Sequence, residues 1–242
     1  MYLSRLILNP RNRLVQKDLS DCQDLHRTIL KAFPQADKVD TGARAQFGIL
    51  YRLENNNHSG QVTVLVQSKL LPNWQAIASI PGYLLETSQL QNPSCKPIAN
   101  LYQQLKLGSH LIFRLRANPT RKTKVQSNNT EQAKQSSKRV EIYKESDQLA
   151  WLHRKATQGG FRLLSLKLGK DLANLQVQPT AKDIGWRKNG NESQKLTFGA
   201  VLFQGELEIT NLEKFQQTLI NGIGSGKSYG FGLLSIAANT IS

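Results

Sequence analysis

The chain has few of the residues that support disulfide, zinc or membrane chemistry. Only two cysteines occur, Cys22 and Cys95, and there is no CxxC and no Cys/His cluster, which disfavours a disulfide framework and a zinc ribbon. No apolar run approaches the roughly 18 residues that a membrane helix needs. The opening MYLSRLILNPRNR carries Arg5 inside its apolar run and predicts a strand rather than a signal peptide. These absences favour a cytoplasmic protein.

Acidic residues are also scarce. Asp and Glu number 17 against 32 Lys and Arg, which gives a net charge of +15 on 242 residues. Such a charge indicates a polyanionic partner, with nucleic acid as the first candidate and an anionic membrane surface as the second. Basic residues are spread along the chain rather than concentrated on one amphipathic helix, which disfavours the membrane. The hydrophobic fraction of 39% excludes a disordered chain, and the length allows two small domains or one large one.

Metal ligands and histidines are few. Glu206 and Glu208 form the tightest acidic pair on a predicted strand, but no third ligand is evident, so the sequence predicts no metal site and no cofactor. Three of the four histidines have simple structural interpretations. His58 lies in a polar loop, His110 begins a predicted strand, and His153 lies on a predicted helix.

Hydrophobic patterning predicts an α+β fold made of two tandem ferredoxin-like (RRM-like) domains. Strands are predicted at 2–9, 45–53, 61–68, 108–117, 161–168, 195–209 and 233–237, and helices at 20–33, 73–80, 147–158 and 211–220. Each half approximates the order strand–helix–strand–strand–helix–strand, which is typical of that fold. A proline-marked stretch, 81–97, separates the halves, and we expect domains at 1–98 and 106–242.

A glycine-rich segment, NGIGSGKSYGFG, lies near the C-terminus. Its NGIGSGKS nearly matches the GxxxxGK[ST] phosphate-binding pattern, but Asn221 replaces the first glycine, and a helix precedes the segment where a P-loop requires a strand. Two interpretations stay open. The glycines Gly222, Gly224 and Gly226 allow a close backbone approach to a phosphate beside Lys227, or they line a tight crossing of a helix and a strand.

Three segments together resemble a known family. The opening MYLSRLILNPRNR…DLSDCQDLHRTILKAFP, the middle FRLRANPTRK…KRV…WLHRKATQGGF and the ending GIGSGKSYGFGLLSI are similar to the CasE family, endoribonucleases that process the repeat RNA of type I-E CRISPR systems. The resemblance implies two ferredoxin-like domains and binding of the CRISPR repeat stem-loop. It also implies one metal-independent cut at the 3′ base of the stem, and retention of the RNA as a subunit of Cascade. We expect a monomer when the protein is free.

The resemblance directs attention to His26 in the first predicted helix, where the family carries its catalytic histidine. An apolar helix face includes Leu25 and Ile29, and His26 lies at its edge with Arg27 and Lys31 on the polar side. The pattern alone favours a boundary histidine beside a solvated basic face over a catalytic one. The resemblance implies that His26 is the general acid and that Arg27 and Lys31 stabilise the phosphate.

One residue departs from the family pattern. Family members commonly have a tyrosine three residues before this histidine, and here that position is Gln23. Glutamine can hydrogen-bond RNA but lacks the phenol's acidity and stacking face, so the rate of cleavage is in question. Tyr51 and Tyr229 are candidate aromatic residues elsewhere in the chain. Gln23 keeps open a second function, a non-cleaving structural subunit that caps the guide RNA hairpin.

A basic surface is predicted from residues 114–139, which hold eight basic residues and one acid. The polar stretch that begins at Thr120 predicts a mobile hairpin loop. We expect this surface to hold the backbone of an A-form RNA stem, although a solvated basic linker or a general nucleic-acid binder fits the same composition. The candidate RNA-binding residues here are Arg114, Arg116, Arg121, Lys122, Lys124, Lys138 and Arg139, with Arg154 and Lys155 on the helix that follows.

Overall fold

A computed structural model describes residues 1–35, 42–56, 58–86, 90–124, 137–164, 167–168, 171–172, 175–189 and 192–238. The strands are β1 (Tyr2–Leu8), β2 (Leu50–Asn55), β3 (Val62–Ser68), β4 (Ser94–Pro97), β5 (His110–Ala117), β6 (Thr120–Lys124), β7 (Ser137–Glu141), β8 (Phe161–Leu164), β9 (Lys167–Leu168), β10 (Asp171–Leu172), β11 (Gln176–Asn189), β12 (Glu192–Ile209) and β13 (Leu234–Ala238). The helices are α1 (Arg13–Ser20), α2 (Cys22–Leu30), α3 (Ala43–Gln46), α4 (Gln75–Ala78), α5 (Ala99–Gln103), α6 (Glu145–Gln158) and α7 (Leu212–Asn221), and a 3₁₀ turn spans Lys227–Tyr229.

The first sheet is antiparallel and has the order β4–β1–β3–β2. This is the ferredoxin-like order, in which helices connect β1 to β2 and β3 to β4. Leu6 and Leu8 of β1 and Val64 of β3 belong to one buried cluster with Leu25 and Ile29 of α2. The apolar face of α2 that the sequence predicts therefore covers this sheet, and the position of His26 follows from it.

The second sheet repeats the same arrangement and adds a long strand, β11. Its order is β13–β5–β12, and β11 and β8 both pair with the free side of β12. Because β12 has 18 residues, it pairs with β11 over its first part and with β8 at its end. Trp151 of α6 and Phe215 of α7 pack into the core of this sheet with Phe203. The predicted α+β fold of two tandem ferredoxin-like units is confirmed.

The predicted helix over 20–33 is wrong in its extent, because two helices, α1 and α2, meet at Asp21. Asp21 has extended torsions (φ −133°, ψ 108°), and its Oδ1 accepts the Gln23 N–H at 2.8 Å, so it is the N-cap of α2. Helix α1 was not predicted because its buried side chains are only Val15 and Asp18, which make no apolar stripe.

Two further elements differ from the prediction. Strand β11 was not predicted because Pro179 and Gly185 interrupt its pattern, but β11 is an edge strand, where proline costs no interior hydrogen bond. The segment predicted as a strand at 45–53 begins as helix α3 and becomes β2 only at Leu50. Strand β4 lies inside the proline-marked stretch and pairs with β1.

A buried arginine joins the two sheets. Arg52 of β2 is 2% exposed and donates hydrogen bonds to the carbonyls of Arg114 (3.0 Å) and Leu233 (3.2 Å) in the second sheet. These bonds fix β2, and with it the adjacent Tyr51, against the second domain. Within the described ranges, no helix is long and apolar enough to cross a membrane.

Candidate active site and basic cleft

His26 lies on α2 between two tyrosine rings that come from distant parts of the chain. Its ring stacks on Tyr51 of β2, with centroids 6.4 Å apart and planes at 16°. It meets Tyr229 of the 3₁₀ turn edge-on, at 6.2 Å and 62°. The imidazole is 9% exposed, and its Nδ1 is buried with no hydrogen-bond partner in the described part of the chain. Packing, rather than hydrogen bonding to described residues, therefore orients this ring.

The surroundings of His26 disfavour a positive charge in the free protein. Burial, together with the positive charges of Arg44 and Arg27, lowers the pKa of His26 from its ordinary value to about 4. The imidazole is therefore neutral at pH 7. A neutral imidazole that is close to cations needs a nearby anion before it can carry a proton.

We expect this pKa to appear in the pH dependence of stability. The unfolded chain has a histidine pKa of about 6.5, so between about 6.5 and about 4 the unfolded state binds more protons than the folded state. The His26 contribution is fully present above the unfolded pKa and is lost as the pH falls through this window, by at most about 3 kcal/mol. Urea unfolding at pH 7 and pH 4.5 should show a smaller pH dependence for His26→Gln than for the wild type. Equal dependence in both proteins contradicts the assignment, and His58→Gln is the exposed control.

The two cations predicted beside His26 have different surroundings. Arg27 is half-exposed and pairs with Asp24, Nη1 to Oδ1 at 2.8 Å, while its charge still acts on His26. Lys31 is exposed at the C-terminus of α2, and no described contact joins it to His26. The helical spacing therefore brings one predicted cation close to the histidine and leaves the other beyond it.

Arg44 is a cation at this site that the sequence did not reveal. It lies on α3, is partly buried, and acts electrostatically on both His26 and Lys227. Burial lowers the pKa of Arg44 from its usual high value, although a guanidinium stays protonated at neutral pH. A four-residue helix has too little periodicity to be recognised from sequence, and that is why Arg44 was missed.

The glycine-rich loop places Tyr229 against His26. Gly226 and Gly230 flank the 3₁₀ turn with φ of 72° and 83°, a conformation that residues with a Cβ rarely adopt. A Cβ on Gly230 would lie 3.1 Å from the Tyr51 ring, and one on Gly224 would lie 3.1 Å from Trp151. The loop is therefore a tightly packed crossing. In the described range 192–238, the 3₁₀ turn and then β13 follow the loop, where a P-loop requires an α-helix that begins at the lysine.

The same loop also forms one wall of a cleft. The cleft has a volume of about 410 Å³ and lies between the β6–β7 hairpin, α6 and the glycine loop. Four basic side chains line it, and we call it the basic cleft: Lys122, Arg139, Lys155 and Lys227. Gly222 and Gly224 add backbone to its wall. Burial and the charges of Arg44 and Lys155 lower the pKa of Lys227, so Arg44 acts both on this lysine of the cleft and on His26.

Some predicted RNA-binding residues lie elsewhere. Arg116 is buried, pairs with Asp183 through two hydrogen bonds of 2.8 Å, and lies over the Phe231 ring at 4.7 Å, and its role in RNA binding stays a prediction. Arg114 pairs with Glu54 at 3.2 Å and lies outside the lining of the basic cleft, and its role in RNA binding also stays a prediction. Each arginine forms an ion pair with a carboxylate that is distant in sequence. A count of charges along the chain does not reveal such pairs.

The remaining predicted RNA-binding residues of the hairpin and of α6 differ in their position relative to the basic cleft. Lys122 pairs in register with Arg139, so the two share a face of the hairpin, and Arg121 lies on the other face. Arg154 is exposed on α6 outside the cleft lining. Lys124 and Lys138 belong to β6 and β7, but their side chains lie outside the described part of the structure, as do residues 125–136 of the predicted mobile loop.

The structure also shows the contacts of three other groups that the sequence analysis considered: the acidic pair, Gln23 and Gly226. Glu208 of the acidic pair is bonded to Arg162 at 2.5 Å and to His110 at 3.5 Å. Gln23 is partly buried next to His26 on α2, and its Oε1 has no described hydrogen-bond partner. Gly226 caps the 3₁₀ turn rather than lining the basic cleft.

Comparison with known proteins gives consistent matches over nearly the whole chain. A family model described as "CRISPR associated protein" matches residues 1–238. The CRISPR-associated endoribonuclease Cse3 of Thermus thermophilus is 36% identical over 238 residues, which cover 98% of this chain and 100% of the relative. The CRISPR system Cascade subunit CasE of Escherichia coli is 30% identical over 238 residues, with 98% and 99% covered. A solved structure of CRISPR endoribonuclease Cse3 bound to a 19 nt RNA has a TM-score of 0.72 and 34% identity, and the match covers 98% of this chain and 100% of that one.

Proposed function

The chain belongs to the CRISPR associated protein family that includes Cse3 and CasE, and we propose that it is an endoribonuclease that binds the stem-loop of the CRISPR repeat in precursor RNA. It cuts the RNA at the 3′ base of the stem and keeps the product as a Cascade subunit. The observation that carries this proposal is a buried histidine between two tyrosines, with Arg44 acting electrostatically both on His26 and on Lys227 of the basic cleft.

RNA supplies the nucleophile for this reaction. The 2′-hydroxyl gives its proton to solvent water, its oxygen attacks the adjacent phosphorus, the bond to the 5′-oxygen of the next nucleotide breaks, and the products are a 2′,3′-cyclic phosphate and a 5′-hydroxyl. The leaving 5′-oxygen needs a proton, and His26 is the group that donates it. No metal ion and no cofactor take part in these steps as we propose them.

The lowered pKa of His26 fits this role only when RNA is bound. A phosphate anion about 4 Å from the imidazolium stabilises it by about 4 kcal/mol at an effective dielectric constant of about 20. That attraction opposes the burial and the two arginine charges that lower the pKa of His26 in the free protein. Binding of the substrate therefore raises the pKa of His26 toward its ordinary range. The imidazole is then protonated and can donate its proton to the leaving 5′-oxygen.

Arg44 and Lys227 stabilise the extra negative charge that develops on the phosphorane, with Arg27 contributing from the helix. Partly buried cations stabilise a developing charge more strongly than solvated ones, because little water screens them. Lys31 stays a candidate for contact with RNA further from the scissile phosphate.

The basic cleft holds the stem. Lys122 and Arg139 on the hairpin and Lys155 on α6 face one space, so they can contact successive phosphates of one strand. A-form RNA has a deep, narrow major groove that side chains do not read easily, and therefore shape and backbone charge are the main basis of recognition.

Replacing Arg44 with alanine should slow cleavage about 10- to 100-fold, because one charged contact to the phosphate is lost. It should also raise the pKa of His26, since the Arg44 charge lowers it. Single-turnover rates and NMR titration of the His26 ring measure the two effects. Arg44→Lys keeps the charge and should restore most of the rate, and an unchanged rate in Arg44→Ala would remove Arg44 from the site.

The function itself is tested by incubating the protein with a repeat stem-loop RNA in EDTA. We expect cleavage at the 3′ base of the stem without added metal. Binding without cutting favours the second candidate, a structural subunit that caps the guide hairpin, for which the observation is Gln23 beside His26. Equal affinity for unrelated duplexes would favour a general nucleic-acid binder.

The proposal also includes the organisation of the chain. We place the domain limits at 1–98 and 106–242, because each range contains one large sheet with its own buried cluster. The N-terminal domain carries His26 and the C-terminal domain carries the basic cleft. The protein is a monomer when free and acts in the cytoplasm, where the precursor RNA is made.

A further inference from the structure

The two tyrosines that contact His26 differ in what their hydroxyl groups do. Tyr51 is 1% exposed, and its hydroxyl donates a hydrogen bond of 2.9 Å to the carbonyl of Ser228. Tyr229 is only partly buried, and none of the described residues hydrogen-bonds its hydroxyl. The Tyr51 hydroxyl therefore already donates its hydrogen bond within the protein and holds the loop. The Tyr229 hydroxyl is available to donate a hydrogen bond to a ligand.

The position of the Tyr229 ring is fixed by its neighbours. Phe198 of β12 packs against it, with centroids 4.7 Å apart, and the His26 ring lies on another side. The Tyr51 hydroxyl anchors the residue before it, and Gly226 and Gly230 hold the left-handed conformations at both ends of the turn. A donor held this way loses little freedom when it meets a substrate.

The charges around Tyr229 suit an anion. Two arginines, Arg187 of β11 and Arg27 of α2, and one carboxylate, Asp21, act electrostatically on its hydroxyl, so the positive charges outnumber the negative one. Burial raises the pKa of Tyr229, so the phenol keeps its proton at neutral pH and acts as a hydrogen-bond donor.

We propose that the Tyr229 hydroxyl donates a hydrogen bond to a non-bridging oxygen of the scissile phosphate, next to the leaving oxygen that His26 protonates. Tyr229 is then a catalytic residue for the cleavage, whereas Tyr51 is a positioning residue that acts through the loop. This inference rests on the proposed endoribonuclease function. No proton is transferred by Tyr229, and the bond strengthens as charge builds on the phosphorane oxygen.

The test compares wild type with Tyr229→Phe, which keeps the ring and removes only the hydroxyl. Single-turnover cleavage of the repeat stem-loop should slow about 10- to 100-fold, the loss expected for one hydrogen bond to a charged group. RNA affinity and the pKa of His26 should stay close to wild type, since the ring remains. Tyr143→Phe removes an exposed tyrosine hydroxyl outside the site and serves as the matched control.

Sulfur substitution separates a direct contact from a structural effect. Sulfur accepts hydrogen bonds poorly, so one phosphorothioate diastereomer at the scissile phosphate should slow the wild type. The same diastereomer should not slow Tyr229→Phe further. An unchanged rate in Tyr229→Phe, or a full thio effect in that variant, overturns the assignment of Tyr229 and leaves the endoribonuclease standing. A wild type that binds the stem-loop without cutting it overturns the proposed function, and the role of Tyr229 fails with it.

Discussion

Replacing His26 with alanine is expected to slow cleavage of the repeat stem-loop by about 100- to 10,000-fold, the range that general acid–base groups contribute. Affinity for the RNA should change little, because the basic cleft is lined by other residues. The measurement is a single-turnover rate in EDTA together with a filter-binding titration. His58→Ala, a change in an exposed loop, is the control.

The alanine variant also leaves a space between Tyr51 and Tyr229, so its folding must be checked by circular dichroism and urea unfolding. His26→Gln fills more of that space but supplies no group that titrates near neutral pH, and it should be equally slow. Near wild-type cleavage by a folded His26→Gln would show that another group donates the proton.

The second large effect concerns binding. Changing Lys122, Arg139 and Lys155 together to alanine removes three cations from the basic cleft. At about 1 kcal/mol or more for each charged contact, the affinity for the stem-loop should fall about 100-fold or more. The slope of log affinity against log salt should become shallower by about 2 to 3, because each phosphate contact contributes about 0.7 to 0.9.

A matched variant controls for net charge. Lys96, Lys106 and Lys214 are exposed lysines outside the basic cleft, and their combined replacement by alanine removes the same total charge. We expect that triple variant to bind with nearly wild-type affinity. An equal loss in both triple variants would mean that overall charge, and not the cleft, determines the binding.

The fold was largely predictable because its buried strands follow simple rules. Strand β1 and helix α2 each have a clear apolar face, and Asp21 is a recognisable cap, so the element that carries His26 was predicted at nearly the right place. Helix α1 and strand β11 were missed, because neither buries a regular apolar stripe. Their positions depend on tertiary contacts, such as the Asp21 carboxylate that accepts the Trp186 N–H at 3.4 Å.

The site was predictable only in part, because it is assembled from distant segments. The pattern of α2 and the family resemblance indicated His26 and Arg27, and charge counting indicated the hairpin. Arg44 depends on a four-residue helix that periodicity does not reveal. Charge counting also predicts that Arg116 binds RNA, but it does not reveal the ion pair of Arg116 with Asp183, which is 67 residues away in the chain.

The central claim is that His26 protonates the leaving 5′-oxygen. It is tested most directly with a stem-loop in which sulfur replaces that bridging oxygen, because a thiolate leaves without needing a proton. We predict that His26→Ala, which cuts normal RNA very slowly, will cut the sulfur-containing RNA at a rate close to that of the wild type. If His26→Ala is as slow on the sulfur-containing RNA as on normal RNA, His26 is not the general acid.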